Sequence, residues 1–413
     1  MKKKVWIISH YAGGPSFCPR LPDYILAKDL IEKNYDVLVF ASSAVHNTDI
    51  NFIKDKNVSK KQIVDDVPFV FVKTRSYKSK LDRMLNMMDF YINMMKCYKK
   101  YEKPDIIISA MPQPLACLAG KQISDKIKVP YITSIVDLWP LSIVEYAGFS
   151  NKNPIIEALY LFEKWLYKKS DALVFTWEGA YDYIIDKGWE KQIPKSKFNY
   201  INIGVDLSKF YSNLQKFQIK DTDLEDSTFK VMYCGSVRTA NDINTIVSCA
   251  KELSDEGYGN KIKFIIYGDG PERPKLIERC KNESIFNVVF KGSIDKKYIP
   301  FVLSKSNLCI LNLLPASTQK YGNSSNKLFE YLAAGSPVIA NIDEGKYPII
   351  TKYNCGKVVK AGNIQAYVDG IKEFYNMDEK QRTYIESRAK ETAKLFDTSK
   401  LNEKWENLIK KLI

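Results

Sequence analysis

The chain has 413 residues, of which 45% are hydrophobic and 27% charged, so it is long enough for two globular cores and too apolar for disorder. The formal net charge of +14 indicates an anionic partner, with a lysine-rich solvated surface as the alternative. His10 and His46 are the only histidines, which excludes a histidine-rich metal site. The chain contains no run of about 18 apolar residues, so we expect no membrane-spanning helix.

The first residues, KKKVWIIS at positions 2–9, resemble the start of a secretory signal peptide. Their apolar run is shorter than such a signal needs, so we interpret it as a first buried strand. The eight cysteines include no C-x-x-C pair, and several lie in apolar runs. This pattern predicts reduced core thiols in a cytosolic protein.

Short β-branched runs alternate with helix-like segments along the chain, which predicts an α/β protein with parallel sheets. The first series of predicted strands covers residues 5–9, 37–41, 105–110, 131–136, 172–176 and 198–202. The second series covers residues 230–234, 263–267, 287–291, 308–313 and 337–341. A polar segment lies between the two series and is the best candidate for a linker. We therefore predict the following division: a Rossmann-like domain 1–205, a linker 206–227, a Rossmann-like domain 228–395 and a terminal helix 396–413.

Residues 81–95 have apolar side chains at helical spacing. The members of this stripe are Leu81, Met84, Leu85, Met88, Tyr91, Ile92 and Met95. The usual interpretation is a helix that faces the core. Basic residues precede or begin the segment, however, and they favour contact with anionic lipid as the alternative: Lys73, Arg75, Lys78, Lys80 and Arg83. The sequence leaves both possibilities open.

A tract of small polar residues, Asn323, Ser324, Ser325 and Asn326, leads into a predicted helix. The first amides of a helix have no internal acceptor, and small neighbours let a ligand approach them, so phosphate is a suitable ligand here. Lys327 would add a positive charge, and the carboxylate at position 330, one turn into the helix, suits two sugar hydroxyls. An ordinary capped helix is the alternative.

Turns that contain glycine follow several predicted strands, and an extended phosphorylated ligand would explain their recurrence better than chance. The residues in question are Gly13 and Gly14, then Gly235, Ser236 and Arg238, then Gly268, Asp269 and Gly270, and finally Lys291 and Gly292.

The sequence allows more than one role for the Asp221/Asp223 pair, for Asp137 and for His10. Asp221-Thr-Asp223 has the D-x-D pattern of metal-dependent enzymes, but it lies in the polar segment, so we expect no metal and no other cofactor. Asp137 ends a strand-like run and either caps the next turn or meets a hydroxyl of a ligand. His10 is either catalytic or packed in its loop.

These pieces occur in an order typical of one family. They are the loop His10-Tyr-Ala-Gly-Gly with Arg20 beyond it, Asp137-Leu-Trp-Pro140, Gly204-Val-Asp206, Gly235-Ser236, Gly268-Asp-Gly-Pro271 and residues 326–339, NKLFEYLAAGSPVI. Because of these motifs, the chain resembles the GT-B fold glycosyltransferases of family 4, and the resemblance extends over nearly its full length. The DLWP and NKLFEY pieces are similar to a bacterial subgroup that includes N-acetylfucosamine transferases of O-antigen and capsule synthesis.

The resemblance implies two Rossmann-like domains that face each other across a cleft, with a C-terminal helix. It also implies a nucleotide-sugar donor held mainly by the C-terminal domain. Glu330 matches the second acid of the family's Glu-x7-Glu motif, expected at the ribose, whereas the first acid falls at Gly322. The cations that many members place after the Gly235 turn fall near Ser236 and Asn241, which are neutral. Arg238 and Lys327 are then the candidate cations for binding the diphosphate of the donor.

The implied activity is retaining transfer of a sugar from a nucleoside diphosphate to a hydroxyl of a growing, lipid-linked bacterial surface glycan. Asp137, His10 and Lys327 are the catalytic candidates. The expected location is the cytoplasmic face of the membrane, with an anionic membrane surface as a partner and no nucleic acid. Two alternatives are a nucleotide-sugar epimerase of the same fold and a nucleic-acid-binding protein. The second rests on charge alone, because the sequence shows no basic stripe with interleaved aromatic residues.

Overall fold

The structure is a computed structural model, and it describes residues 2–18, 21–46 and 48–413. Arg20, which contributes to the resemblance, lies outside these ranges. Contacts divide the chain into two compact units. Unit 1 comprises residues 1–202 together with 402–413, and unit 2 comprises residues 203–401.

Unit 1 is built on a sheet that has eight strands within the described ranges. The strands are β1 (Lys4–Ile8), β2 (Asp36–Ser42), β3 (Ser59–Val64), β4 (Val67–Val72), β5 (Ile106–Ala110), β6 (Tyr131–Ile135), β7 (Ala172–Phe175) and β8 (Phe198–Tyr200). Their order is β3-β4-β2-β1-β5-β6-β7-β8, and the pairing is parallel except between β3 and β4. Strands β5, β6 and β7 are buried along their whole length, as expected when helices cover both faces of a parallel sheet.

Among its described residues, unit 1 has six α-helices of its own. They are α1 (Pro22–Glu32), α2 (Lys80–Cys97), α3 (Pro114–Ile127), α4 (Leu141–Ala147), α5 (Pro154–Lys169) and α6 (Ala180–Asp186). Of these, α2, α3 and α5 begin at a side-chain cap. The Gln113 side chain accepts from the Ala116 amide at the start of α3, where Pro114 supplies a fixed φ. Ser79 accepts from the Asp82 amide, 3.1 Å away, at the start of α2.

Helix α2 does not have the orientation that its apolar stripe suggests. The side that packs on unit 1 carries Asn86, Phe90, Met94 and Cys97, all fully buried, while most of the apolar stripe is exposed. Of the two possibilities that the sequence leaves open, the structure therefore argues against a stripe that faces the core. The helix has apolar residues on two sides, and Phe90 fixes the side that packs.

Unit 2 contains a six-stranded parallel sheet among the described residues. Its strands are β9 (Phe229–Cys234), β10 (Ile262–Tyr267), β11 (Val288–Gly292), β12 (Leu308–Leu311), β13 (Val338–Ala340) and β14 (Gly356–Val358). The order is β11-β10-β9-β12-β13-β14, so the direction of winding reverses between β9 and β12. In open parallel sheets ligands bind at such a switch point, beyond the carboxyl ends of the strands.

The helices of unit 2 flank this sheet. They are α7 (Leu207–Lys216), α8 (Thr222–Glu225), α9 (Ile243–Leu253), α10 (Arg273–Asn282), α11 (Ile299–Ser304), α12 (Asn326–Ala334), α13 (Ile364–Tyr375) and α14 (Glu379–Leu395), followed by α15 (Thr398–Leu412), which spans the boundary between the units. Within the described ranges, no helix combines the length and the apolar character needed to cross a membrane.

The segment 206–227, expected to be a linker, lies inside unit 2 and forms α7 and α8. Leu207, Phe210 and Leu224 from this segment are buried in one of the cores of the unit. Asp206 caps α7 by accepting from the Lys209 amide at 2.8 Å. The segment is therefore part of the folded unit and contributes apolar residues to its core.

Candidate functional site

Three loops of unit 2 form a connected edge at the carboxyl ends of β9, β10 and β11. Backbone hydrogen bonds join them: the Gly235 amide to the Tyr267 carbonyl at 2.9 Å, the Val237 amide to the Asp269 carbonyl at 2.9 Å, and the Gly268 amide to the Gly292 carbonyl at 2.7 Å. Because each loop is tied to the next, this edge presents a fixed backbone to any ligand.

The glycines of the Gly268-Asp-Gly270 turn are required by packing between these loops. Gly268 and Gly270 have φ angles of 152° and 157°, which side chains rarely adopt. A Cβ at Gly268 would lie 1.7 Å from the Gly235 carbonyl oxygen, and one at Gly270 would lie 2.2 Å from the Val237 carbonyl oxygen. The turn therefore has a structural reason for its glycines whether or not a ligand is bound.

Helix α12 begins at Asn326 and has Ser325 as its N-cap residue. In the described part of the chain, the Ser325 side chain forms no cap hydrogen bond with the helix. The Ser325 amide donates to Asn323 Oδ1 at 2.7 Å, which orders the tract before the helix. The first amides of a helix lack internal acceptors and carry the positive end of its dipole, so this end of α12 favours an anion.

Lys327 lies in the first turn of α12, and its amine reaches the loop after β9. Its Nζ donates to Asn241 Oδ1 at 2.7 Å and to the Tyr233 hydroxyl at 3.2 Å, and both partners are neutral. Burial lowers the pKa of Lys327 to about 8, and the nearby Glu330 only partly opposes this effect. Over the residues that the structure describes, Lys327 forms no ion pair with a carboxylate.

The partners of Lys327 are themselves fixed by Ser236. Asn241 Nδ2 donates to the Ser236 carbonyl at 2.8 Å and to its Oγ at 3.0 Å, and the Tyr233 hydroxyl donates to the same carbonyl at 2.9 Å. Tyr233, Ser236, Asn241 and Lys327 therefore form one network. The sequence singled out Ser236 and Lys327 as site residues but gave no reason to join them through Tyr233 and Asn241.

This network lies at the switch point of the sheet. Asn312 follows β12, and its Nδ2 donates to the backbone carbonyls of Asp242 at 2.6 Å and Asn241 at 3.2 Å. The loops after β9 and β12, which are the two strands where winding reverses, are thus joined beside Lys327. A ligand site is expected at this position in a sheet of this kind.

Two other predicted donor residues are less enclosed. Glu330 is partly buried, and its Oε1 lies 3.2 Å from Nζ of Lys296, whose side chain is largely exposed. An ion pair of this kind contributes little to stability and exchanges easily for another partner. Arg238 is exposed on the loop after β9.

Lys291, also predicted to contact the donor, is paired with the D-x-D carboxylates. Its Nζ lies 2.6 Å from Asp221 Oδ1 and 2.6 Å from Asp223 Oδ2, and Lys263 lies 2.9 Å from Asp223 Oδ1. Tyr267 donates its hydroxyl to Asp221 at 2.6 Å. Burial opposes ionisation of Asp221, but the hydrogen bonds from Lys291 and Tyr267 outweigh it and lower its pKa.

Both D-x-D carboxylates are therefore already neutralised by lysines. Within the described ranges, no group of three or more His, Cys, Asp and Glu side chains is placed to hold a metal ion.

His10, Gly13, Gly14 and Asp137 lie in unit 1, and the remaining predicted site residues lie in unit 2. His10 follows β1 and is buried, with ring contacts to Tyr11 and Phe90. Burial lowers the pKa of His10 to about 3, although a hydrogen bond with Asn86 opposes the shift. The structure favours a packed, neutral loop residue, and a catalytic role for His10 stays a prediction.

The two glycines after β1 are also enclosed by their own unit. A Cβ at Gly13 would lie 2.4 Å from the Cβ of Cys18, and one at Gly14 would lie 2.4 Å from Asp65 Oδ2. Asp137 is exposed after β6, in the loop that leads to α4. This position at a strand's carboxyl end agrees with either of the roles expected for Asp137.

Comparison with solved structures defines the class of fold. The structure is similar to the sucrose-phosphate synthase of Thermosynechococcus elongatus, with a TM-score of 0.76 and 16% identity over 100% of this chain and 99% of the other. It is also similar to HepE of Anabaena in complex with UDP, with a TM-score of 0.69 and 14% identity over the whole of both chains. The predicted α/β fold of the GT-B class is confirmed.

Comparison with sequence families is more specific for unit 2. Residues 215–392 match the family described as Glycosyl transferases group 1. A 2-deoxystreptamine N-acetyl-D-glucosaminyltransferase of Niallia circulans is 30% identical over 140 residues, which are 34% of each chain. An alpha-D-kanosaminyltransferase of Streptomyces kanamyceticus is 23% identical over 185 residues, which are 42% of this chain and 46% of the relative. The chain thus matches less than half the length of these curated relatives.

Proposed function

We propose that the protein is a retaining glycosyltransferase of family 4 that transfers a sugar from a nucleoside diphosphate to a hydroxyl of a lipid-linked glycan. The proposed product is a growing bacterial surface glycan of the O-antigen or capsule type. The observation that carries the proposal is the network around Lys327, where a partly buried amine with two neutral partners lies at the start of α12.

A diphosphate suits this network for two reasons. An ammonium group that is hydrogen-bonded only to neutral oxygens keeps its charge available for an incoming phosphate, and the start of α12 adds amide donors and the helix dipole. Glu330, three residues further along α12, is an acceptor for the ribose hydroxyls once it leaves Lys296.

The proposed reaction breaks the bond between the anomeric carbon and the diphosphate oxygen and forms a bond from that carbon to the acceptor oxygen. The acceptor proton passes to the leaving phosphate on the same face of the sugar, which retains the configuration. Negative charge grows on the phosphate as the old bond breaks, and Lys327 is positioned to stabilise it. Asp137 is proposed to orient a hydroxyl of the acceptor or the sugar.

The relatives support the choice of donor. HepE was solved with UDP, and one curated relative is named as an N-acetyl-D-glucosaminyltransferase. We infer that a nucleoside diphosphate sugar is the donor here too, and UDP-sugars are the first to test. No metal or other cofactor is proposed, because Lys291 and Lys263 already neutralise the D-x-D carboxylates.

The proposals for the acceptor and for the location in the cell rest on charge and on the family resemblance. A net charge of +14 favours an anionic surface such as the inner face of a bacterial membrane, where lipid-linked glycans are assembled. We therefore propose a cytoplasmic protein that is peripheral to that membrane.

The test is a screen of UDP-, GDP- and dTDP-sugars, each with and without a lipid diphosphate acceptor. The proposal predicts transfer that depends on the acceptor, with product of retained configuration. Lys327→Ala should lower kcat by about 10²–10³, as for loss of one donor to a developing oxyanion. Lys305→Ala, at an exposed lysine of the same unit, is the matched control.

Two outcomes would contradict this function. Rearrangement of the free nucleotide sugar without an acceptor would identify an epimerase of the same fold. A folded Lys327→Ala variant with normal kinetics would mean that the donor site lies elsewhere.

A further inference from the structure

The outer side of α2 is a row of exposed apolar side chains. The exposed fractions are 66% for Leu81, 64% for Met84, 36% for Leu85, 46% for Met88 and 42% for Ile92. The spacing of these residues places them on one side of the helix, opposite the buried Phe90 and Met94. We call these five residues the α2 apolar row. Single exposed apolar residues are common on proteins, but a contiguous row on one helix marks a contact surface.

The chain around the α2 apolar row is strongly basic. Residues 73–100 contain eight Lys or Arg and two Asp, a formal surplus of six positive charges. Lys78, Lys96, Lys99 and Lys100 are exposed.

One of the two acids near the row is neutralised. Asp89 accepts two hydrogen bonds from the Arg75 guanidinium, of 2.7 Å and 3.1 Å, and one from the Arg75 amide, of 3.0 Å. The other acid, Asp82, bonds to the N-cap residue Ser79 at 2.7 Å. The exposed lysines therefore determine the charge around the apolar row.

We propose that the α2 apolar row and the exposed lysines around it dock the protein on an anionic lipid bilayer. The proposal deepens the function proposed above, since it names the surface that would bring the enzyme to a lipid-linked acceptor. Apolar side chains on one side of a surface helix enter the boundary between headgroups and acyl chains, while neighbouring lysines attract anionic headgroups.

Charge argues for a bilayer over a second copy of this chain. Two copies joined through α2 would bring two basic regions together, in a protein whose net charge is +14. An anionic bilayer has the complementary charge and an apolar interior for the row. An arrangement in which α2 lies on the surface also needs no membrane-spanning segment.

The experiment measures co-sedimentation of the full chain with vesicles of phosphatidylcholine alone or of phosphatidylcholine mixed equally with phosphatidylglycerol. The wild type is expected to bind the anionic vesicles, to bind the neutral ones weakly, and to lose binding as salt rises. Lys78→Glu/Lys96→Glu should weaken binding at least about 30-fold, because each lysine near an anionic surface strengthens binding about fivefold and the two factors multiply. Lys275→Glu/Lys281→Glu, with the same charge change on exposed lysines of α10, should bind more tightly than that variant.

The apolar part is tested with matched helical residues. Met84→Ser/Met88→Ser should lose most of the vesicle binding. The control Ile155→Ser/Leu161→Ser removes two residues of α5 that are each 69% exposed, and should retain it. All four variants change exposed side chains, so circular dichroism and melting temperature should match the wild type.

Three results would overturn the proposal: equal binding to neutral and anionic vesicles, equal loss in the test and control variants, or a wild-type dimer that Met84→Ser/Met88→Ser makes monomeric. The last result would identify the row as a self-association surface. Titration with UDP in the absence of lipid tests the donor site separately. Vesicle binding without UDP binding would support the docking surface and argue against UDP as the nucleotide. UDP binding without vesicle binding would contradict the docking surface alone.

Discussion

The lowered pKa of Lys327 makes a testable prediction about how donor binding depends on pH. Burial lowers this pKa to about 8 in the free protein, so the amine loses its proton as the pH rises through 8. A bound diphosphate favours the charged amine and raises its pKa. Binding above about pH 8 must therefore take up a proton, and affinity must fall as pH rises, by linkage.

The size of the effect follows from the same equilibrium. If the bound amine stays protonated, affinity should fall about 30-fold between about pH 7 and about pH 9.5. This window lies above the second pKa of a phosphate group, about 6, so the ligand keeps its charge throughout. Lys327→Met should bind about 10- to 150-fold more weakly at about pH 7, the range expected for one hydrogen bond to a charged group. It should also lose the dependence on pH.

Isothermal titration with the nucleoside diphosphate of the identified donor measures both effects. Lys305→Met should behave as the wild type, since Lys305 is exposed and contacts the Phe301 ring. Wild-type affinity that is flat across the window, or a Lys327→Met variant that keeps the slope, would refute the assignment of Lys327 to the diphosphate.

Three further predictions concern the same unit. Glu330→Gln should raise donor KM and leave kcat nearly unchanged in steady-state kinetics, because ribose contacts are equal in the ground and transition states; a fall in kcat alone would contradict this. Transfer should survive EDTA and the Asp221→Asn/Asp223→Asn change, and activity that EDTA abolishes and Mn²⁺ or Mg²⁺ restores would show the metal assignment to be mistaken. Gly268→Ala should cost at least about 2 kcal/mol in urea unfolding, since strain and a backbone clash combine. Gly362→Ala, with φ of 75° and open space, should cost less, and equal costs would mean that the clash does not exist.

Strands with apolar runs were the easiest part of the fold to predict, and the missed strands show why. All eleven predicted strands correspond to strands of the structure, but β3, β4 and β14 were not predicted. Strand β3 is largely exposed and has the sequence SKKQIV, so it carries no apolar signal. Strand β4 is apolar, but Pro68 interrupts its run and argues against a central strand. Asp65 and Asp66, both with positive φ, connect the two strands in a tight hairpin.

The periodicity of α2 could not predict which side of the helix faces the core. An apolar stripe predicts that one side of a helix avoids water, but not which partner covers it. The burial of Asn86 on the inner side was especially hard to predict, because a polar residue on a helix usually indicates a side that faces solvent. In the structure Asn86 Nδ2 donates to the Arg75 carbonyl at 2.5 Å, which satisfies the amide nitrogen of this buried side chain.

The candidate site was predicted in its parts and missed in its connections. The pattern around 323–330 correctly indicated a helix start with a lysine and an acid. The link from Lys327 to Asn241 joins residues 86 positions apart, so only the fold could reveal it. The structure also explains one departure from the family's motif. Gly322 has a φ of 112°, which glycine adopts readily and glutamate does not.

Lys327 and Lys291 show why position near a strand end is not enough to identify a donor contact. Burial opposes the charge on Lys291, but Asp221 and Asp223 outweigh it and raise its pKa, so that lysine is charged and already paired. Two of the three donors of the Lys291 amine are already used by carboxylates, so a diphosphate would meet an amine whose charge is already compensated. Lys327 has neutral partners and a lowered pKa. An incoming anion would therefore favour its protonated form, and no ion pair would have to break. Of the two lysines, Lys327 gains more from the ligand, and the donor diphosphate should therefore lie beside α12 and the loop after β9.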